Sequence, residues 1–325
     1  YVMSAAEVQA ILRRHAETIE GGVVAENLPK DYSAADTPFW FINAVYEELY
    51  DRWDETFAQE AITWCQAVIE GHLEGPLNGS VVDREDGLLQ VAVGEKPRTW
   101  MNSSAYGWTV APRHGKPIEV NALWVNALGA LKWVSDRLGL EFEHEELRTT
   151  ALRSLKEKYW FDRGRFYLDT IEPDDASLRP NQVIALALPF VEFDPEQASQ
   201  AMRVVEEKLL TPNGLRTLAQ DEADFDSHFD SKFYPVGSVS HLGSVWPWLL
   251  GYYVDAAARY GQGETSMGIG GVADWLANYG LGGIAQFYDG EEARAGGSPW
   301  FCWSASEVLR AVHKHDLEKI ATSET

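Results

Sequence analysis

Residues 99–124 read TWMNSSAYGWTVAPRHGKPIEVNALW, a loop broken by glycine and proline that leads into a helical pattern. A surface loop usually needs only turn-forming residues and solvated charges. Three Trp residues beside amides, basic groups and a Glu are therefore typical of a pocket wall that holds a polar ligand. A sugar suits such a wall, because its apolar face stacks on Trp and its hydroxyls bind amide and charged side chains. The alternative is that these Trp residues are ordinary core beneath a long loop.

A second stretch near the other end of the chain has the same plan. Residues 282–310 read GGIAQFYDGEEARAGGSPWFCWSASEVLR, a glycine-rich, acidic and aromatic loop that leads into another helix. Three shorter segments lie between the two stretches: LRPNQ at 178–182, GLRTL at 214–218 and HLGSVWPWLLG at 241–251. Polar, aromatic and glycine residues recur in them just before apolar helical patterns.

In this order, these segments resemble the amylo-α-1,6-glucosidase module of glycogen debranching enzymes. The resemblance runs from about residue 36 to residue 311 and includes TWM at 99–101, PRHGKPIEVNALW at 112–124, GLGGIAQFYDG at 280–290 and GSPWFCWSASEVLRA at 297–311. It implies an all-α fold, an (α/α)6 barrel whose loops at one end form a funnel for α-glucan ends. It also implies hydrolysis of an α-1,6-linked glucose stub with inversion, without a metal or an organic cofactor.

The chain departs from the family at the two positions that carry the chemistry. The resemblance places a general acid directly after TWM, where this chain has Asn102, and a general base at Gln286. An inverting hydrolase needs one carboxylic acid for the leaving oxygen and one carboxylate for the attacking water. An amide has nearly the shape of a carboxylate but does not exchange protons near neutral pH. We therefore expect a sugar pocket that has lost most of its hydrolytic activity.

Three explanations for the two amides remain open at this point. They are the substitutions that an experimenter would choose to trap a substrate. They also suit natural drift toward a glycan-binding homologue, since Phe301 and Leu242 stand where the family usually has Gln. Thirdly, an active enzyme could use other carboxylates, and the candidates are Asp289, Glu291, Glu292 and Glu119. A different α-glucosidase or trehalase-like activity on the same barrel is a further alternative, because a fold does not fix a substrate.

The candidate sugar-binding residues have aromatic, amide or charged side chains in or beside the matching segments. For Asp36 and Trp40 the alternative is a helix N-cap and a core aromatic. His241 has no Ser or Cys partner in a recognisable triad pattern, so we expect it to contact sugar rather than to activate a nucleophile. The full set is Asp36, Trp40, Trp100, Trp108, Arg113, Lys116, Glu119, Asn121, Trp124, Arg179, Asn181, Arg216, His241, Trp246, Tyr288 and Trp303.

Composition sets limits that agree with a glycan partner. A chain of 325 residues with 45% hydrophobic residues can bury one large core, and we expect a single domain over residues 1–325. The net charge of −23 disfavours nucleic acid and anionic membranes as partners, whereas a neutral glycan tolerates it. No apolar run approaches a membrane span and no signal peptide is evident, so a cytoplasmic location is the expectation. The oligomeric state and the presence of upstream domains stay open.

Apolar periodicity predicts ten to twelve helices and little strand. Ser4 with Glu7, and Ser304 with Glu307, have the spacing of capping boxes. The acidic residues 83–87 lack the full ligand spacing of a calcium loop, which favours a solvated hairpin. The two cysteines, Cys65 and Cys302, form no disulfide or metal pattern, and burial is expected for both.

Overall fold

The computed structural model describes residues 3–26, 30–94, 96–105, 108–228, 238–261 and 269–317. Ten α-helices lie in these ranges, and the apolar periodicity predicts ten to twelve for the chain. They are α1 (Ala5–Ala16), α2 (Thr37–Asp51), α3 (Glu55–Glu74), α4 (Ile118–Leu138), α5 (Glu145–Lys158), α6 (Asn181–Ala187), α7 (Pro195–Lys208), α8 (Leu249–Tyr260), α9 (Gly270–Asn278) and α10 (Cys302–Lys314).

The helices alternate between an inner and an outer position. Helix α2 packs on α4, α4 on α6, α6 on α8 and α8 on α10, while α1, α3, α5 and α7 pack against these inner helices from outside. Helix α4 is buried around its whole circumference along most of its length, whereas α7 buries only Ala198, Ala201, Met202 and Val205 along one face. The first inner helix also contacts a later one, because the rings of Trp40 on α2 and Tyr252 on α8 meet edge-on with their centroids 5.6 Å apart. This is the predicted (α/α)6 barrel.

Strands are short and serve to fix the loops. A five-stranded antiparallel sheet has the order β13-β12-β11-β10-β9, and four two-stranded pairs accompany it among the described residues. The strands are β1 (Val81–Val82), β2 (Leu89–Gln90), β3 (Ser104–Ala105), β4 (Trp108–Thr109), β5 (Lys116–Pro117), β6 (Trp160–Phe161), β7 (Phe166–Tyr167), β8 (Thr170–Ile171), β9 (Leu210–Thr211), β10 (Gly214–Arg216), β11 (Val245–Trp246), β12 (Phe287–Tyr288) and β13 (Ala295–Gly296).

Three helix starts test the sequence predictions. The capping box of Ser4 and Glu7 is present, with the Ser4 amide donating to Glu7 Oε2 at 2.8 Å. The one predicted at Ser304 is wrong, because α10 begins two residues earlier and Ser304 is buried inside the helix. Asp36 occupies the N-cap position of α2, yet its carboxylate makes no capping bond there.

The two cysteines differ in exposure. Cys65 is buried, as expected, whereas Cys302 is exposed at the start of α10, which corrects the second prediction. None of the described helices is both long and apolar enough to cross a bilayer.

The topology gathers the loops before the inner helices at one end of the barrel. Consecutive helices in hairpins run antiparallel, so alternate helices run in the same direction and their N-termini lie at the same end. The segments concerned are Asp36 before α2, residues 99–117 before α4, 169–180 before α6, 240–248 before α8 and 286–301 before α10. They contain most of the residues that the sequence marks as site candidates.

Candidate active site

Trp100 is the centre of an aromatic cluster at this end of the barrel. Its ring meets those of Trp248, His241 and Trp246 edge-on, at centroid distances of 4.9, 5.2 and 5.7 Å. Its indole N–H donates to Asn181 Oδ1 at 2.8 Å. The segments before α4, α6 and α8 therefore converge on one ring.

His241 is a neutral member of this cluster. It stacks on Trp246 with 5.2 Å between ring centroids and 19° between the planes. Burial, followed by the charges of Arg179 and Arg113, lowers the pKa of His241 to about 3. Its Nδ1 is buried and has no hydrogen-bond partner among the described residues. A neutral imidazole can hydrogen-bond to a hydroxyl, but it does not serve as a proton donor near neutral pH.

A buried ionic network lies behind Trp100. Arg113 donates from Nε to Asp169 Oδ2 at 2.6 Å and from Nη2 to Glu119 Oε2 at 2.6 Å, and its Nη1 also bonds Glu119. Asn181, which holds the Trp100 indole, donates to Asp169 Oδ1 at 2.7 Å. Burial lowers the pKa of Arg113, but the charges of Asp169 and Glu119 outweigh it, so the pKa is raised. The guanidinium of Arg113 therefore stays charged, and its bonds through Asp169 and Asn181 orient Trp100.

Arg179 completes the charge balance. Its Nη1 donates to the carbonyl oxygens of His241 at 2.8 Å and of Thr217 at 3.1 Å, and its Nε lies 3.8 Å from Asp169 Oδ2. Two guanidinium groups thus face two carboxylates in the interior, Asp169 and Glu119. Sequence reasoning did not select Asp169, because it lies in a short connection and belongs to no recognisable pattern.

Asp36 is the carboxyl group of this region without a basic partner among the described residues. It is 4% exposed, and its Oδ2 accepts the backbone N–H of Trp100 at 2.9 Å. Burial, with a smaller contribution from the charge of Glu119, raises the pKa of Asp36 to about 7. The N-cap alternative for Asp36 describes its place on the helix, but its side chain is directed to the Trp100 segment.

The two predicted catalytic positions lie in different segments, each within two residues of a ring that contacts Trp246. Asn102 is exposed between buried Met101 and Ser103, and no hydrogen bond reaches its side chain within the described part of the chain. Gln286 is partly exposed, and its Oε1 accepts the N–H of Ser298 at 3.1 Å.

Trp246 links the two positions. Its ring contacts Trp100, two residues before Asn102, at 5.7 Å and Phe287, the neighbour of Gln286, at 5.4 Å. Phe301 also meets Trp246 edge-on, at 6.3 Å, whereas Leu242 is buried in a separate small cluster with Val110 and Leu218.

Three side chains that the sequence predicts as sugar contacts bond to other parts of the protein instead. Asn121 and Trp124 are two of them. The amide of Asn121 bonds to Leu89 N, Leu89 O and Pro117 O at 2.7, 3.1 and 3.0 Å. Trp124 is fully buried, and its indole N–H donates to Gly87 O at 2.9 Å. For Trp124 the alternative interpretation, ordinary core beneath the loop, describes the structure.

Lys116, the third, is enclosed by acidic groups. Its ammonium group lies 2.9 Å from Asp83, 2.8 Å from Asp86 and 2.6 Å from Glu172. These carboxylates are also the one group within the described ranges that could hold a metal ion. Residues 83–87 do connect the hairpin of β1 and β2, as predicted, and their carboxylates neutralise a lysine.

Of the remaining candidates, some contact the aromatic cluster and others have different partners. Trp40 is half-buried and meets Trp248 at 6.4 Å, and Trp303 meets Trp248 at 5.9 Å. Tyr288 faces Trp275 at 5.0 Å, because successive residues of β12 point to opposite sides and Phe287 takes the side of Trp246. Arg216 donates from Nε to Gly290 O at 2.8 Å, and the side chain of Trp108 lies outside the described residues.

The alternative carboxylates have partners of their own. Glu119 is bound by Arg113, and buried Asp289 accepts from Arg294 Nε at 2.7 Å. Glu291 accepts from Ser227 Oγ at 3.2 Å, and Glu292 is exposed on the same loop. The two buried groups, Glu119 and Asp289, are therefore held in ion pairs.

Comparisons with known proteins agree with this architecture. A family model described as amylo-alpha-1,6-glucosidase matches residues 4–310. The glycogen debranching enzyme of Saccharomyces cerevisiae is 25% identical over 221 aligned residues, which cover 54% of this chain and 14% of the yeast enzyme. The chain thus matches only a small part of that relative.

Two solved structures from Thermus thermophilus have the same fold. One is a GH63 mannosylglycerate hydrolase in complex with Tris and D-glycerate, with a TM-score of 0.70, 14% identity and coverage of 96% of this chain and 89% of that chain. The other is an uncharacterized conserved protein, with a TM-score of 0.67, 13% identity and coverage of 95% and 89%. At these identities the likeness shows the fold alone.

Proposed function

Because this chain belongs to the amylo-alpha-1,6-glucosidase family, we propose that its barrel binds the end of an α-glucan and leaves the glycosidic bond intact. The family is one of glycoside hydrolases. The proposed difference is confined to Asn102 and Gln286, which replace the acid and the base of an inverting hydrolase of α-1,6-linked glucose.

The observation that carries the proposal is the site around Trp100. Rigid aromatic rings lie beside hydrogen-bonding groups whose charge is reduced at neutral pH: His241 is neutral, and burial raises the pKa of Asp36 to about 7. The stronger charges, on Arg113, Asp169 and Glu119, neutralise one another behind the rings. These groups are nearly buried, with Trp100 6%, Asp36 4% and His241 1% exposed, and their chemistry suits a neutral pyranose, which presents apolar C–H faces and hydroxyl groups.

The chemistry of the two amides explains the loss of hydrolysis. In an inverting reaction an acid at position 102 would protonate the leaving oxygen, and a carboxylate at position 286 would take a proton from the attacking water. Neither Asn102 nor Gln286 can take these parts, since a primary amide does not exchange protons usefully near pH 7. Glu119 and Asp289 are already held in ion pairs, which argues against either of them replacing the acid or the base.

Both amides can be converted to acids with little disturbance of the barrel. Asn102 is exposed and makes no hydrogen bond with the described residues, so a carboxylate there breaks no contact. Gln286 accepts the N–H of Ser298 through Oε1, and a Glu at this position would accept the same hydrogen bond. The test can therefore be made on a folded protein.

The experiment compares the unmodified chain with Asn102→Asp, Gln286→Glu and the double variant. Glucose release is measured on a branched limit dextrin, and binding is measured with maltoheptaose on every variant. We expect all proteins to bind, and the double variant to release glucose at least ~100-fold faster than the unmodified chain, within the range that general acid–base catalysis supplies. NMR of the fresh product should show β-glucose, the product of inversion.

Gln59→Glu, at an exposed position on α3, is the matched control for an added negative charge, and it should leave both measurements unchanged. If the unmodified chain hydrolyses as fast as the double variant, the amides do not silence it. If neither protein binds maltoheptaose, the site is not for α-glucans. Release of glucose from trehalose in preference to limit dextrin would support the trehalase-like alternative.

A further inference from the structure

The loop before α10 and the first turn of that helix each leave one indole ring exposed to solvent. Trp300 is 64% exposed and Trp303 is 52% exposed, and we call this pair the indole platform. Large aromatic side chains of soluble proteins are mostly buried, so two neighbouring exposed Trp residues indicate a surface for binding.

Trp300 is held in place although it is exposed. Its indole lies so close to Gly283 that a methyl group there would come within 1.6 Å of Cδ1 and 2.0 Å of Nε1. The next residue, Phe301, donates its N–H to Ile284 O at 2.9 Å, which fixes the backbone beside the ring. No described residue stacks on the Trp300 ring or bonds its indole N–H. The ring is therefore positioned on one side and available on the other.

The indole platform is continuous with the proposed sugar site. Trp303 meets Trp248 at 5.9 Å, and Trp248 meets Trp100 at 4.9 Å, so three edge-on indoles lead from the surface to the centre of the cluster. Gln286, the position assigned to the base, pairs through its backbone with Ser298 at 2.9 Å. Trp300 follows Ser298 by two residues. The platform thus follows closely in the chain after the residue that bonds to position 286.

We propose that Trp300 and Trp303 bind the glucan chain that carries the terminal unit, so that the platform selects long or branched glucans over short ones. The inference rests on the proposed function, because it assigns the outer part of the same ligand. Each indole offers a flat apolar surface for one pyranose face, and the unbonded N–H of Trp300 can donate to a ring hydroxyl.

Exposed aromatic side chains can also bind a partner protein. The continuity of the indole platform with the proposed sugar site disfavours this alternative. A protein partner would also use the aliphatic side chain of Leu281, which is 89% exposed near the platform. A pyranose gains much less from Leu281, because stacking needs a flat ring. Leu281→Ala is therefore the control for an exposed apolar side chain that does not stack on a sugar ring.

The test measures dissociation constants for maltose and maltoheptaose by isothermal titration calorimetry. The variants are Trp300→Ala and Gly283→Ala, the second of which displaces the indole without removing it. Tyr50→Ala, at an exposed aromatic on α2, and Leu281→Ala are the controls. We expect both platform variants to weaken maltoheptaose binding about tenfold, as for the loss of one ring contact, with maltose binding unchanged within about twofold. The controls should bind both sugars like the unmodified chain, and circular dichroism should show equal folding.

Each outcome has one meaning. If the unmodified chain binds neither sugar, the proposed function fails, and with it the ligand of the platform. If it binds maltoheptaose and Trp300→Ala binds equally well, the platform assignment is wrong while the proposed function stands. An equal loss for maltose and maltoheptaose would also overturn it, because Trp300 would then support the pocket itself. A loss with Leu281→Ala as large as with Trp300→Ala would point to a surface that is not specific for sugar rings.

Discussion

Replacement of Asp169 by Asn should destabilise the barrel from within the site. The Asp169 side chain is buried and accepts hydrogen bonds from Arg113 Nε at 2.6 Å, from Arg113 Nη2 at 3.1 Å and from Asn181 Nδ2 at 2.7 Å. An Asn has one acceptor oxygen and one amide donor, so at least one donor of the network would then face another donor. Arg113 and Arg179 would share the single remaining carboxylate, Glu119.

The expected magnitude follows from the burial of this network. Removing one partner from a buried ion pair costs about 3–5 kcal/mol, because a charge is left uncompensated in the interior. Asn has nearly the volume of Asp, so no cavity adds to this figure. An unfolding entropy of about 0.7 kcal/mol per kelvin for a chain of this length converts the loss to a fall in Tm of about 4–7 °C.

Differential scanning calorimetry and guanidinium unfolding would measure the change. The matched control is Asp136→Asn, which removes an exposed ion pair with Lys132 (2.8 Å) and should cost less than about 0.5 kcal/mol. Since Asp169 holds Trp100 through Asn181, maltoheptaose binding should also weaken at temperatures far below unfolding. A fall in Tm no larger than that of the control would mean that the network does not depend on this charge, contrary to the assignment made above.

Three further predictions concern other buried groups. Burial raises the pKa of Asp36 to about 7 from an ordinary value of 3.8, so its contribution to stability is full below about pH 4 and is lost as pH rises through 7. The free energy of unfolding should therefore decline by up to about 1.4 kcal/mol per pH unit between pH 4 and 7. Asp36→Asn should remove this decline, as measured by urea unfolding over the same pH range. Lys116→Met should destabilise more at pH 7 than at pH 3. The hydrogen bond from Lys116 lowers the pKa of Asp83, so it stabilises the fold above the ordinary Asp pKa of 3.8, and this contribution is lost as pH falls below that value. Equal losses in thermal unfolding at pH 7 and pH 3 would contradict this. Gly129→Ala should lower the free energy of unfolding by about 1–3 kcal/mol, measured by chemical unfolding, since the new methyl would lie 2.4 Å from Phe190 Cβ. The control is Gly270→Ala, whose methyl meets nothing within 4 Å and should leave stability unchanged.

The helices were predictable because their signal is local. In α4 the apolar residues at 120, 123, 124, 127, 128, 131 and 134 follow helical spacing, and all of them are buried. The same spacing predicts core rather than pocket for Trp124, and the structure follows it. The resemblance of the loops then identified the barrel, which local patterns alone do not specify.

The side chains of the site were less predictable because their partners are distant in sequence. Asp169 belongs to the site because it bonds to Arg113, 56 residues earlier, and the residues next to Asp169 in the sequence form no recognisable motif. The sequence predicts a sugar contact at Tyr288, but strand alternation shows only that Tyr288 and Phe287 point to opposite sides and not which of them faces Trp246. Lys116 was interpreted as a sugar ligand, although Asp83, Asp86 and Glu172 surround its ammonium group. Such choices depend on the tertiary arrangement.

The residues that hold the site and the residues that would perform the chemistry are different ones. The Arg113 network, the Asn181 contact and the aromatic rings fix Trp100, and none of these contacts involves Asn102 or Gln286. Exchange between an amide and an acid at these two positions therefore changes proton transfer while the cluster keeps its shape. In the proposed function, binding and hydrolysis are therefore separable, and loss of one does not require loss of the other.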